Sequence, residues 1–190
     1  MNETAHNVES SGFTLIETVI FVAIFSILTL ALFNIFAVYG TLYTADKLQF
    51  TTVNDTRTPL NELAATVAQA HRVMNSQTIN GTDYQTNTTT LVVQLPSITL
   101  DGSIVENTWD YAVFFTSSTN LYRLSAPNAA SARPAGQKIL GDSIVSIVFT
   151  FDSADFSLVH KVSVNIESQS QSNHVTVTNT SADQIILKNY

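Results

Sequence analysis

Glu17 is the residue whose surroundings most call for a chemical explanation. From Phe13 to Tyr39 the chain reads FTLIETVIFVAIFSILTLALFNIFAVY, and before Tyr39 its only ionisable side chain is Glu17. A carboxylate inside such a run costs at least a few kcal/mol unless it meets a cation or takes up a proton. The first Lys or Arg in the chain is Lys47, so no cationic side chain lies within a helical turn. A cut after Gly12 would create one partner, the α-amino group of Phe13, which is cationic at neutral pH. That amine would stand four residues from Glu17 on the same helical face. It could neutralise the carboxylate of its own chain or of a neighbour. The plainer alternative is a Glu17 hydrated at the level of the lipid headgroups.

Other residue types carry less. The chain has no cysteine, which excludes a disulfide framework, a thiolate zinc site and a cysteine nucleophile. The histidines, His6, His71, His160 and His174, lack the spacing of a metal-binding helix or ligand pair. Asp152, Ser153 and Asp155 cluster oxygens that suit calcium, but the stretch lacks the glycine and terminal glutamate of a dedicated loop. A polar hairpin turn is the better reading there. There is no nucleophile elbow, no glycine-rich phosphate cradle after a strand and no marked carboxylate pair. The expectation is a protein that is not an enzyme and has no cofactor. Sequons at Asn54, Asn80, Asn87 and Asn179 fit the acceptor pattern, as the Thr- and Asn-rich composition would produce unaided. With a net charge of −7 and its eight Lys and Arg scattered, the chain offers no basic stripe, so nucleic acid is not an expected partner.

The elements that must place Glu17 follow from hydropathy. As a helix, residues 14–38 would span about 37 Å, enough for a hydrocarbon core of roughly 30 Å. A conventional signal peptide fits less well: the apolar run is too long, no A-x-A pattern follows it, and no cation precedes it. After Gly40 an apolar stripe persists at Tyr39, Tyr43, Phe50 and Val53, then at Leu60, Leu63, Ala64, Val67, His71 and Met74, at close to helical intervals. Pro59 predicts either a kink near residue 58 or a break, with Thr58 as N-cap of a second helix.

From Leu91 the pattern changes to short strand-like runs. LVVQL stops before Pro96; WDYAVFF at 109–115 is apolar on both faces, as a central strand is. NLYRL at 120–124, SIVSIVFTF at 143–151 and LVHKVSVNI at 158–166 follow, and the alternation of Val162, Val164 and Ile166 with polar residues marks a half-buried antiparallel strand. The six residues 152–157 should join two strands in a hairpin. Residues 125–137 read as the clearest loop, and 175–177 and 185–187 as two short edge strands.

The stretch Ser11-Gly12-Phe13-Thr14-Leu15-Ile16-Glu17 resembles the processing motif of the type IV pilin and type II secretion pseudopilin superfamily. The resemblance implies that prepilin peptidase cuts between Gly12 and Phe13 and N-methylates Phe13. It also implies that Glu17 is the assembly residue that pairs with a neighbouring subunit's N-terminus. One departure stands out: family leaders usually carry Lys or Arg, whereas residues 1–12 have none and contain Glu3 and Glu9. The positive-inside bias therefore does not set the orientation. The order of a Tyr-Arg strand, a loop and the strands at 144–151 and 162–166 is similar to J-type minor pseudopilins and minor pilins.

The fold class expected is α+β, a long N-terminal helix packed on a C-terminal antiparallel sheet. Residues 1–12 are expected to form a leader, 13–39 a transmembrane and filament-core helix, 40–75 an amphipathic helix and 76–190 a β-rich head. The resemblance implies a single-pass inner-membrane subunit with an extracytoplasmic head that enters a pilus or pseudopilus after assembly. Its implied partners are prepilin peptidase, other pilin or pseudopilin subunits and the inner-membrane assembly platform. A rival reading is a monomeric, membrane-anchored binding module that uses its head, through the loop at 125–137, to recognise a surface ligand.

Overall fold

The structure is a computed structural model that describes residues 14–172 and 175–188. It divides into an N-terminal unit up to Tyr43 and a second unit, Thr44–Tyr190. The class is α+β: a long helix, α1 (Leu15–Val67), and antiparallel sheets.

Within the first unit every residue of α1 up to Leu42 is exposed, including Leu15 (86%), Phe33 (71%) and Phe36 (74%). The hydroxyls in this stretch turn inward on the backbone. Ser26 Oγ donates to the Val22 carbonyl at 2.7 Å, Thr29 Oγ1 to Phe25 at 2.8 Å and Thr41 Oγ1 to Ala37 at 3.2 Å. Satisfied in this way, they add little polarity to a surface that is apolar apart from Glu17 and Asn34, as suits contact with lipid. The segment is long and apolar enough to cross a membrane.

In the second unit, α1 passes through Pro59 without a break, so Thr58 is an interior residue and not an N-cap. Pro59 has no N–H for the Asp55 carbonyl, and the head meets that place: Gly141 packs against the Asp55 carbonyl and the Pro59 ring. The buried stripe of the helix is Thr52, Thr56, Pro59, Leu63 and Val67, at helical intervals. Of the expected stripe, Leu63 and Val67 are buried and Val53, Leu60 and Ala64 half-buried, whereas Tyr39, Tyr43 and Phe50 are 70–73% exposed. Two threonines take the buried places instead, each with its hydroxyl bonded back to the helix: Thr52 Oγ1 to Leu48 O and Thr56 Oγ1 to Val53 O, both at 3.1 Å.

The helix ends at Val67, short of the expected residue 75. Past it, backbone donors leave the helix for a strand: His71 N–H reaches the Gln94 carbonyl at 2.8 Å and Met74 N–H the Val92 carbonyl at 2.9 Å. His71 and Met74 therefore follow the ladder of β1 (Arg72–Val73), not the helical period.

β1 opens a five-stranded antiparallel sheet in the order β1, β4 (Thr90–Ile98), β5 (Ile104–Ser117), β6 (Asn120–Ala126), β7 (Gly136–Gly141). β5 holds the centre, as its two apolar faces require. β4 runs through Pro96, and its pairing with β5 jumps from Pro96↔Trp109 to Ser97↔Val105. β1 stops opposite Gln94, so Pro96 lies where the ladder to β1 has ended and its missing N–H deprives no partner. β2 (Ser76–Ile79) and β3 (Thr82–Gln85) form a separate hairpin around Asn80-Gly81, whose φ values of 52° and 83° suit a tight two-residue turn.

The second sheet has the order β10 (Val175–Ile186), β9 (Lys161–Ser172), β8 (Ile144–Phe151). The expected β8–β9 hairpin is present, with a short 3₁₀ turn at Phe156–Leu158. The two short strands expected near the C-terminus are one strand of twelve residues. The main core gathers Leu63 and Val67 of α1 with Leu91, Val93, Phe114, Leu121, Ile147, Phe149, Val162 and Ile166 from both sheets. Burial of each such side chain is worth roughly 1.5–3 kcal/mol. On the other face of the five-stranded sheet, Ile79 of the hairpin packs on Val92, Val113 and Leu124.

Candidate functional site

Glu17 lies in the first turn of α1, at the third helical position. Thr14, immediately before the helix, donates its backbone N–H and its hydroxyl to Glu17 Oε2, each at 2.8 Å. In return, Glu17 N–H reaches Thr14 Oγ1 at 3.4 Å. This reciprocal pair is a capping box. Its T-x-x-E spacing stands in the sequence at Thr14 and Glu17. The positive end of the helix dipole also favours a carboxylate there by about 0.3–1 kcal/mol. Glu17 is thus fixed at the helix N-terminus, on the residue that follows Phe13, with Oε2 occupied by Thr14. Gly12 and Phe13, the expected cleavage and methylation positions, lie outside the described residues, as do the rest of the leader, His6 and His174.

The head holds two polar constellations that sequence reasoning missed. Glu62, on α1, accepts from Arg123 of β6 (Nη1–Oε2, 2.5 Å) and from Lys138 of β7 (Nζ–Oε1, 2.5 Å). Lys138's hydrogen bond, with help from both cations, holds the Glu62 carboxyl below its ordinary range. Asp110, on β5 and 1% exposed, accepts from Ser97 Oγ (2.8 Å), Asn128 N–H (2.8 Å) and Ser131 Oγ (2.7 Å), and its Oδ2 lies 3.2 Å from Arg133 Nε. It thereby pins the loop 127–135 to the sheet. Glu62, Arg123, Asp110 and Arg133 line a cavity of about 300 Å³ together with Pro127 and Pro134. These contacts span up to 76 residues of sequence, and no local pattern announces them.

The remaining expected candidates serve structure. Asp152 Oδ1 accepts from His160 N–H at 3.1 Å, and Asp155 caps the 3₁₀ turn through Ser157 N–H at 2.9 Å. His71 stacks on Trp109 with ring centroids 4.6 Å apart. Among the described residues no group of three or more acidic or histidine side chains could hold a metal ion.

The model of the prokaryotic N-terminal methylation motif matches residues 9–33. The chain thus carries a prepilin-type N-terminal motif on a helix with a long apolar first half, a combination consistent with a type IV pilin-like protein and with processing by prepilin peptidase. The motif points to a structural, membrane-anchored protein. No curated protein and no solved structure matches the chain.

Proposed function

We propose that the chain is a minor subunit of a type IV pilus-like or type II secretion filament. Prepilin peptidase cuts between Gly12 and Phe13 and methylates the Phe13 amine. The segment from Phe13 to about Tyr39 then holds the subunit in the inner membrane, with the head on the extracytoplasmic side, until the assembly platform moves it into the filament. Glu17 there accepts the N-terminal amine of a neighbouring subunit.

One observation carries this reading: the matched motif lies on the apolar segment of α1, residues 15–42, whose single charged side chain is a carboxylate in the first turn. The capping box leaves Glu17 Oε1 without a bond to Thr14, so an incoming amine can be met without dismantling the cap. The J-type resemblance, which rests on the strands from 109 to 166, supports a minor subunit that primes or caps the filament.

N-terminal sequencing and intact mass of the membrane-fraction protein test the processing step, and the expected start is methylated Phe13. An intact Met1 would leave only an anchored protein. Glu17→Val should still insert into the membrane but fail to enter filaments, and incorporation at the wild-type level would refute the charge pairing.

A further inference from the structure

Open sheet edges invite additional strands, and folded proteins usually blunt them with short length, lysine, proline, bulges or a cover. Most edges of this head are treated in that way. β1 has two residues, and β2 and β3 have four each. β7 has six, with Lys138 in its middle and a register shift where it joins β6. The outer edge of β8 is used by the chain itself: Ile144 N–H donates to the Thr119 carbonyl at 2.9 Å and Phe149 N–H to the Thr88 carbonyl at 2.8 Å.

β10 has none of these devices. Its twelve residues pair with β9 without a bulge, from Val175↔Ser172 to Ile186↔Lys161. It contains no Lys, Arg or Pro, and its single charge is Asp183. Leu187 N–H donates to the His160 carbonyl at 2.9 Å, which sets the phase of the ladder. By the alternation of antiparallel strands, odd-numbered residues turn their backbone groups to β9, and Thr176, Thr178, Thr180, Ala182 and Ile186 turn theirs outward. Gln184 shares that phase, but its N–H is taken by Asp183 Oδ1 at 2.8 Å.

We propose that β10 receives an extended segment of a different polypeptide, which joins the three-stranded sheet as a fourth, antiparallel strand. Main-chain hydrogen bonds would supply the affinity and alternate side chains the selectivity. The outward-facing row Thr176, Thr178 and Thr180 suits small polar side chains on the incoming strand. The half-buried Val175 and Val177 and buried Ile185 suit β-branched apolar ones, and Asp183 suits a Lys or Arg opposite.

A second copy of this chain is the wrong occupant. Its other edges are blunted, so it could offer only its own β10, and identical strands that extend one sheet antiparallel are related by a two-fold axis perpendicular to that sheet. The Thr44–Val67 part of α1 lies on this sheet, where Ser168 Oγ donates to the Thr52 carbonyl at 2.8 Å and Asn179 Nδ2 to Thr56 Oγ1 at 2.6 Å. The axis would run the two copies' helices in opposite directions, and β10 has no Lys or Arg to set opposite Asp183 of its twin.

The test uses the full chain in detergent micelles. The probe is a synthetic peptide of Lys161–Ser172, the sequence that already pairs antiparallel with β10. Amide hydrogen exchange should be fast at Thr176, Thr178, Thr180 and Ala182 without peptide and slow by about tenfold or more at saturation. The odd-numbered amides should be protected throughout. The double variant Thr178→Pro/Thr180→Pro removes two outward donors and none from the β9 ladder, as an edge strand tolerates. It should keep the odd-numbered protection and lose the response to peptide. If the prolines disturb β10 itself, Thr178→Lys/Thr180→Lys gives the same reading without backbone constraint. The proposal fails if the outward amides are already slow in the free protein, including through self-association. It also fails if millimolar peptide leaves them fast, if the odd-numbered amides lose protection because the peptide displaces β9, or if the lysine variant responds like wild type.

Discussion

Gly141 approaches the helix so closely that a Cβ there would stand 2.9 Å from the Asp55 carbonyl oxygen and 3.4 Å from the Pro59 ring. The carbonyl is the one that Pro59 cannot serve with an N–H, so the proline in the helix and the glycine at the end of β7 form one joint. Backbone oxygen does not yield as a flexible side chain would. Gly141→Ala should therefore destabilise the head by about 1–3 kcal/mol, read as a shift of the denaturant midpoint at unchanged slope.

Asp110 should be the costliest polar residue to lose. Asp110→Ala removes the acceptor of Ser97, Asn128 and Ser131 and leaves Arg133 half-buried beside no carboxylate. The expected loss is about 3 kcal/mol, with faster amide exchange at Asn128 first. Unchanged exchange in 127–135 would show that the loop is held by other means.

Glu62 and Asp55 should give the head opposite responses to pH. The Glu62 carboxyl lies below its ordinary value of 4.5, chiefly through Lys138. Its contribution is present above 4.5 and fades as pH falls through the lower folded value. Because the cluster is partly solvated, Glu62→Gln should cost about 1 kcal/mol or less at neutral pH, and the difference from wild type should vanish in acid.

Burial pushes the Asp55 carboxyl above its ordinary 3.8; the Ser143 hydroxyl offsets part of this, and the Asp142 charge adds to it. A carboxyl raised by folding holds its proton more tightly in the folded state. Stability from this group therefore falls as pH rises from 3.8 through the raised value. Asp142→Asn should stabilise the protein at neutral pH by a few tenths of a kcal/mol and flatten that fall, measured as midpoint against pH.

Much of the architecture was legible in local pattern because it depends on local physics. An apolar run longer than a bilayer core, with one acid near its start, marks the helix and its first turn. The alternation of Val162, Val164 and Ile166 marks β9, and all three are buried as the pattern demands. Even the capping box was there to be read in Thr14 and Glu17. The Asn80-Gly81 hairpin was equally visible, and a polar composition hid it.

The sequence by itself determined the long N-terminal helix, strands such as β5, β8 and β9, and which end of the chain is apolar enough to cross a membrane, since these follow from hydrophobic period over a few residues. Only the tertiary structure decided that Thr52 and Thr56 face the core, that α1 continues through Pro59, that it stops at Val67, and that β10 is one long strand with an open edge. The physical reason is that each of these depends on partners distant in sequence. Ser168 and Asn179 satisfy the buried threonine seam, Gly141 makes room at the proline, β4 draws away the backbone donors beyond Val67, and β9 supplies an unbroken ladder for β10.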